Sequence, residues 1–391
     1  MQFIDIQRFL PLVSKPSRYI DHELNAVKRD PRKYQARFCL AFPDVYEVGI
    51  SHLGLKILYS IINRRDDAMA DRAYLPWLDL LEILRTENLP LFGLESGLAV
   101  RDFDVLGITL QSELTYSNVL ELLSVSQIPL LAKDRGSEHP IVLAGGPCAV
   151  NPLPLKDFID VFFIGEAEEA IWEIASVIAS VPERTARLQA LSSISGCYVP
   201  LYHDAILSKD PEFRIKARKY AAFHSGEHLH SPQLLSWQLA THNRYVAEIM
   251  RGCSRGCRFC QAGYIYRPVR ERSASDIFGQ LLKEVKLSGW DEVGLMSLSS
   301  SDYTCVKDLL FMLLSALDQQ KTHVSLPSLR VDSLDADLVG LMKELGREGL
   351  TIAPEAGSQR LRDVINKNLT EDEICRGVQI AKELGWQRIK L

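Results

Sequence analysis

No apolar run in this sequence approaches the roughly 18 residues that a membrane span needs. The opening, MQFIDIQRFLPLV, has neither a basic n-region nor a small-residue cleavage site. Neither a spanning helix nor a signal peptide is therefore expected, and we expect a cytoplasmic location. An excess of positive charge is also lacking. The formal net charge is −5, so bulk electrostatics give no reason to expect unspecific nucleic-acid binding. The chain has no internal repeat and no low-complexity tract, which excludes a repeat array. Cysteine is sparse, with 8 in 391 residues, which excludes a small disulfide scaffold.

What is present is ordinary globular composition, 47% hydrophobic and 24% charged, at a length that suggests two domains or at most three. Between about 36 and 180, strand-like apolar runs at 37–42, 104–110, 141–144 and 160–164 alternate with helical patterns at 53–63, 77–86 and 114–125. Short buried strands alternating with helices predict a parallel sheet covered on both faces. Residues 186–240 break the alternation, and His224, His228 and His230 lie there among small and charged residues. A zinc site would need four ordered ligands, and no cysteine or carboxylate pattern completes that set. A solvated connection is the expectation.

From Tyr245 the alternation resumes. Strands are expected at 245–250, 292–297, 323–327, 350–353 and 387–391, and helices at 274–286, 306–317, 336–345 and 371–384. This pattern predicts a (β/α) barrel or half-barrel with its site at the strand C-terminal ends. The pattern stops inside the fifth strand, so a truncated core with an open sheet edge and weak or absent turnover is expected.

After the first of these strands comes MRGCSRGCRFCQAGYIYRPVRERS. Its Cys-x3-Cys-x2-Cys spacing, Cys253, Cys257 and Cys260, can supply three thiolates to three irons of a cubane cluster and leave the fourth iron open. Gly252 and Gly256 permit a tight loop, and Arg255 and Arg258 place positive charge beside the sulfurs, which should favour their ionised form. Structural zinc would want a fourth ligand nearby; Cys305 is far along the chain, and His242 lies upstream on the approach to the strand. Packing cysteines would have no reason to cluster at one loop. The other cysteines, at 39, 148, 197, 305 and 375, are scattered.

The triplet, with Phe259 before its last cysteine, resembles the signature of the radical S-adenosylmethionine (SAM) superfamily. The resemblance implies a 4Fe–4S cluster and SAM as cofactors, with the open iron binding the amino and carboxylate groups of SAM. Reductive cleavage to a 5′-deoxyadenosyl radical would follow, with electrons from a reductant such as flavodoxin or ferredoxin. It also implies that Phe259 packs near the adenine. Where superfamily members carry a glycine-rich acidic motif, this chain has Ser299, Ser300, Ser301 and Asp302. These could accept from the SAM ammonium, or Ser301 and Asp302 could cap the next helix. Arg330 could pair with the SAM carboxylate or be a surface arginine. Glu355, in the stretch IAPEAGSQRLRDVINK, resembles the Glu-Ala/Ser-Gly-Ser stretch of methylthiotransferase-like members and is a candidate ribose contact. Arg360 and Arg362 read as solvated helix residues. Arg267, Arg270 and Arg272 read as a solvated loop or as a receiver for an anionic substrate.

Upstream, the segments FPDVYEVGISHLGLKILYSII, GITLQSELTYSN, VLAGGPCAVNPLPL and FIDVFFIGEAEEAI together look like the cobalamin-binding-type domain of one large class of these enzymes. The fold class implied is α/β. A doubly wound Rossmann-like domain of cobalamin-binding type (1–185) and a connecting segment (186–240) precede an incomplete (β/α)6 radical SAM partial barrel (241–391), cut at its fifth strand. Gly145-Gly146 could let a ligand approach the backbone or simply make a strand-to-loop turn. Glu166, Glu168 and Glu169 read as the acidic start of a helix, and His52 as a satisfied loop or core histidine. No Asp-x-His-x-x-Gly supplies a histidine to cobalt, so cobalamin remains an open cofactor. Two functions compete. One is radical chemistry on an unidentified substrate, as methylation or methylthiolation. The other is an iron–sulfur binding or regulatory protein without turnover.

Overall fold

The computed structural model describes all residues except 22, 211, 230, 231, 239, 318–321 and 347–349. The chain divides into two compact units. Unit 1 comprises Met1–Tyr220, His228–His230 and Leu234–His242, and unit 2 comprises Ala221–Glu227, Ser231–Gln233 and Asn243–Leu391. Both are of α/β type.

Unit 1 is built on strands β1 (Ala36–Phe42), β2 (Ala68–Tyr74), β3 (Val105–Thr109), β4 (Ile141–Gly145), β5 (Val161–Phe163) and β6 (Cys197–Tyr198). They form one sheet in the order β2-β1-β3-β4-β5-β6. The first five run parallel and β6 pairs antiparallel with β5. Side chains alternate across the sheet. On one face Cys39, Ala41, Met69, Ala73, Leu106 and Ile108 share a buried cluster with Leu80, Leu84, Val119 and Leu122 of the helices Leu78–Thr86 and Tyr116–Val125. Helices Leu53–Ile62 and Ala170–Ser180 pack against β1 and β2. Each fully buried leucine contributes roughly 1.5–3 kcal/mol by leaving water, so the two covered faces hold the sheet.

The stretch read as a connection differs from expectation. Helix Arg184–Ser192, β6 and helix Pro200–Leu207 all fall within it or at its start and belong to unit 1. Their short length and mixed polarity hid them. His228 is buried edge-on against Tyr220, His224 is exposed, and His230 lies outside the described residues.

β2 has no counterpart in the sequence reading, because Asp71 and Arg72 interrupt its apolar run. Both are buried. Arg72 pairs with Glu95, Nη2 to Oε1 at 2.5 Å, and with Glu23. Asp71 accepts from the backbone N–H groups of Arg72, Glu95 and Ser96. Burial of these charges is tolerable because each is hydrogen-bonded.

Unit 2 contains β7 (Tyr245–Glu248), β8 (Met250–Arg251), β9 (Arg270–Glu271), β10 (Glu292–Met296), β11 (His323–Ser325), β12 (Leu350–Thr351) and β13 (Ile389–Lys390). A parallel sheet has the order β11-β10-β7, and β12 pairs parallel with β13 in a separate ladder. Helix Ala274–Ser288 starts on the Ser273 side chain, which accepts from Asp276 N, and ends at Gly289 in the left-handed region. Helix Glu371–Glu383 starts with a full capping box, Thr370 with Glu373. No helix among the described residues is long and apolar enough to cross a membrane.

Candidate functional site

The cysteine segment leaves the sheet of unit 2 through a pinch that the sequence did not reveal. β8 and β9 pair antiparallel, Met250 opposite Glu271 and Arg251 opposite Arg270, and close the base of the loop 252–269. Gly252 follows at φ +87, where a Cβ would stand 2.5 Å from the Pro268 carbonyl oxygen and 2.7 Å from that of Tyr266. No side chain fits there. Gly256 is also in the left-handed region, at φ +73. The Cys260 N–H donates to Cys257 O at 3.1 Å, which turns the chain between the last two thiols.

The loop is tied to the segment after β12. Arg258 N donates to Ile365 O at 2.9 Å, and Asn366 Nδ2 donates to Gly256 O at 2.8 Å. Arg267 Nε donates to Cys253 O at 3.3 Å. All three cysteines are free thiols of intermediate exposure. Among the described residues no three His, Cys, Asp or Glu side chains converge on a single-ion position. A cubane asks for something different: its three thiolates bind three separate irons at three corners of the cluster. Three free thiols on a closed, tethered loop fit that demand.

The arginines expected to bias the sulfurs have their main partners elsewhere. Arg255 pairs bidentately with Asp302 and lies 3.5 Å from Asp332. Its pKa is raised by the Asp302 hydrogen bonds first, with a smaller contribution from Cys253. Arg258 turns to the Val364 carbonyl. Burial pushes the Asp302 carboxyl up, but hydrogen bonds from Arg255 and Ser299 and the nearby positive charges outweigh it and hold it below the usual range.

The serine segment is also internally satisfied. Ser299 Oγ donates to Asp302 at 2.7 Å, and Ser300 Oγ lies 3.0 Å from Ser297 Oγ. Ser301 Oγ accepts from Arg330 N at 3.1 Å. Ser301 and Asp302 do not cap the next helix. They sit in the 3₁₀ turn Ser300–Asp302, upstream of Val306–Leu317.

Arg330 is no surface arginine. It is buried, ion-paired with Asp332 at 3.0 Å, and donates to the carbonyls of Lys367 and Asn368. Arg362, read as solvated, is 2% exposed and donates to Leu369 O, Ala356 O, Gly357 O and Gln359 Oε1. Arg360 is exposed. Arg272 is likewise buried, donating to Glu248 O at 3.1 Å, so the basic run presents no joint surface. Phe259 is 53% exposed, and Lys367 Nζ lies 5.9 Å over its ring. Glu355 is exposed, has φ +68, and its Oε1 lies 3.4 Å from Lys367 Nζ. Lys367 was not singled out in the sequence. It was one lysine in a polar run.

In unit 1 the strand order reverses between β1 and β3, the place where open α/β sheets bind ligands beyond their strand carboxyl ends. His52 bridges the two loops there. Its Nδ1 accepts from Leu55 N at 3.0 Å, capping helix Leu53–Ile62, and Nε2 lies 3.1 Å from Gln111 Oε1. The accepting Nδ1 puts the proton of the neutral ring on Nε2, so neither nitrogen offers a free lone pair to a metal. Gly146, at φ +106, is explained by the chain itself: a Cβ would stand 2.8 Å from Leu110 O. Glu166 and Glu168 are buried ahead of helix Ala170–Ser180, and Glu166 accepts from Tyr220 N, so dipole stabilisation is not their whole role.

The His52 cap carries a pH prediction. Burial lowers its pKa to about 4, below the ordinary value near 6.5. The folded state therefore favours the neutral ring, and stability is lost as pH falls from about 6.5 towards 4. His52→Asn caps without titrating. Its melting midpoint is expected to fall less than the wild type's between pH 7 and pH 5, because the asparagine cap has no proton to gain. Equal falls in the two proteins would contradict this.

Together these features define a class: an α/β protein with an iron–sulfur-type cysteine loop at the carboxyl end of a parallel strand. The description "Radical SAM proteins, N-terminal" matches residues 54–200, and "Radical SAM superfamily" matches residues 247–391. The chain belongs to the radical SAM superfamily, whose members use a 4Fe–4S cluster and SAM. It is 31% identical over 355 residues to Uncharacterized protein MJ0966 of Methanocaldococcus jannaschii, covering 90% of this chain and 68% of that protein. Among solved structures it resembles the radical SAM methyltransferase TsrM from Kitasatospora setae, at TM-score 0.59 and 12% identity over 90% of this chain and 67% of that one. It also resembles the cobalamin-dependent SAM radical enzyme OxsB, at TM-score 0.62 and 13% identity over 90% of this chain and 49% of that one. At such identities the likeness is one of fold.

Proposed function

We propose that this radical SAM enzyme binds a 4Fe–4S cluster through Cys253, Cys257 and Cys260 and directs SAM-derived radical chemistry to its substrate, as methylation or methylthiolation. The observation that carries this reading is the loop of three free thiols, closed at Gly252 and tethered through Asn366. When bound, the cluster and SAM supply an electron and a hydrogen-abstracting 5′-deoxyadenosyl radical. The chain's own share is to hold three irons on three thiolates and to fix the loop through the Arg255–Asp302 pair. Phe259 offers a ring to the adenine and Glu355 a carboxylate to the ribose. Ser299 to Asp302 and Arg330 then act as a supporting layer, consistent with their mutual hydrogen bonds. The cysteines lie in a region, 241–391, that we read as a radical SAM partial barrel. A reductant of flavodoxin or ferredoxin type would serve it, and the substrate is unidentified. Dithionite-reduced, cluster-loaded protein is expected to release 5′-deoxyadenosine from SAM. Fully loaded protein that leaves SAM intact would refute turnover.

Residues 1–185 are read as a cobalamin-binding-type, Rossmann-like domain. The strand order of unit 1 supports this, as do TsrM and OxsB, both solved with cobalamin bound. His52 would give no ligand to cobalt. After mixing with hydroxocobalamin and removal of free ligand, the expected result is about one retained corrinoid per chain with unaltered retention in His52→Asn. No retention at high micromolar ligand would move the chemistry to cobalamin-free hydrogen abstraction.

A further inference from the structure

An amino-acid carboxylate entering beside the cysteine loop needs a cation that can be released to it. Most cations around the loop are committed. Arg255 is held by Asp302 and Asp332, Arg330 by Asp332 and two carbonyls, and Arg362 by three carbonyls and an amide oxygen. Arg258 and Arg267 are turned onto the carbonyls of Val364 and Cys253.

Lys367 is different. It is buried to 9% exposure, its carboxylate contact with Glu355 is loose at 3.4 Å, and its ammonium lies over Phe259, the residue before Cys260. The backbone around it is shaped for this position. Asn366 and Asn368 flank it at φ +53 and +51, and Glu355 itself is held at φ +68. A glutamate in the left-handed region costs roughly 1–2 kcal/mol, and such strain concentrates at ligand clamps and switch regions. Asn366 also binds Gly256 of the cysteine loop, so the lysine is fixed against the loop rather than merely near it.

We propose that Lys367 is the cation that receives the carboxylate of SAM in this chain, held ready by Glu355 and by the face of Phe259. The inference rests on the reading of unit 2 as a SAM-binding core, and it moves the role from Arg330 to a residue the sequence did not single out. Lysine is suited to it: a point charge on a flexible stem can leave Glu355 for a second carboxylate, whereas the planar Arg330 fork is already matched to Asp332.

The test is equilibrium binding of SAM and of decarboxylated SAM to the oxidised, cluster-loaded protein, with iron content measured on every variant. Wild type is expected to prefer SAM. Lys367→Met is expected to weaken SAM binding about 10- to 100-fold, the worth of a charged hydrogen bond, while decarboxylated SAM changes little. Lys367→Arg should restore part of the preference. The proposal is overturned if Lys367→Met keeps the wild type's full preference for SAM, if both ligands weaken together at full iron content, or if wild type binds the two equally. Wild type that holds four irons yet binds neither ligand would refute the SAM reading itself, and this inference with it.

Discussion

Replacing Cys257 with alanine is expected to reduce the anaerobically reconstituted chain from about four irons to essentially none. Cys257 is the middle ligand of the three. Without it, two thiolates would have to retain a cluster with two irons open to solvent. The loop should keep its shape in the variant, because backbone contacts hold it. The β8–β9 pair, the Gly252 turn and the bonds to Ile365 and Asn366 do not use the thiol. Loss of iron at an unchanged melting midpoint of the metal-free protein would thus isolate ligation from folding. Cys305→Ala is the control. Cys305 lies beyond β10, outside the triplet, and its loss should leave iron content intact. Full iron loading of Cys257→Ala, or stoichiometric zinc in the wild type, would contradict the assignment.

The second large effect is on stability. Arg72→Met is expected to destabilise unit 1 by about 3–5 kcal/mol. The side chain is 1% exposed, and the substitution leaves Glu23 and Glu95 buried without their shared cation. Arg72 also spans distant pieces of chain, since Glu23 lies in the amino-terminal segment and Glu95 follows helix Leu78–Thr86. At this size the loss corresponds to a fall in melting temperature of roughly 10 °C. Adding Glu23→Gln and Glu95→Gln should recover part of the loss, because neutral partners carry a smaller desolvation penalty. An unchanged midpoint for Arg72→Met would show that the network contributes nothing to the fold.

The same network explains where sequence reading ran short. β1, β3, β4 and β5 are apolar runs and were visible as such. β2 was not, because Asp71-Arg72 resembles solvated loop until Glu23, Glu95 and Ser96 supply partners. The cysteines were legible because their spacing is chemical information in itself. The arginines were not, since a guanidinium's role depends on which carboxylate reaches it. Arg330 and Arg362 are both buried in hydrogen-bonded positions that no periodicity marks. Lys367 was hidden for the complementary reason: its significance lies in how weakly it is paired.

The central claim is that three cysteines hold a cluster with one iron left for SAM. Its most direct test is the electron paramagnetic resonance spectrum of the reduced, cluster-loaded wild type, recorded with and without SAM. A 4Fe–4S signal that shifts when SAM is added, and does not shift with 5′-deoxyadenosine, is the predicted result. A cluster signal identical in the presence and absence of saturating SAM would contradict it and leave an iron–sulfur protein without the open iron.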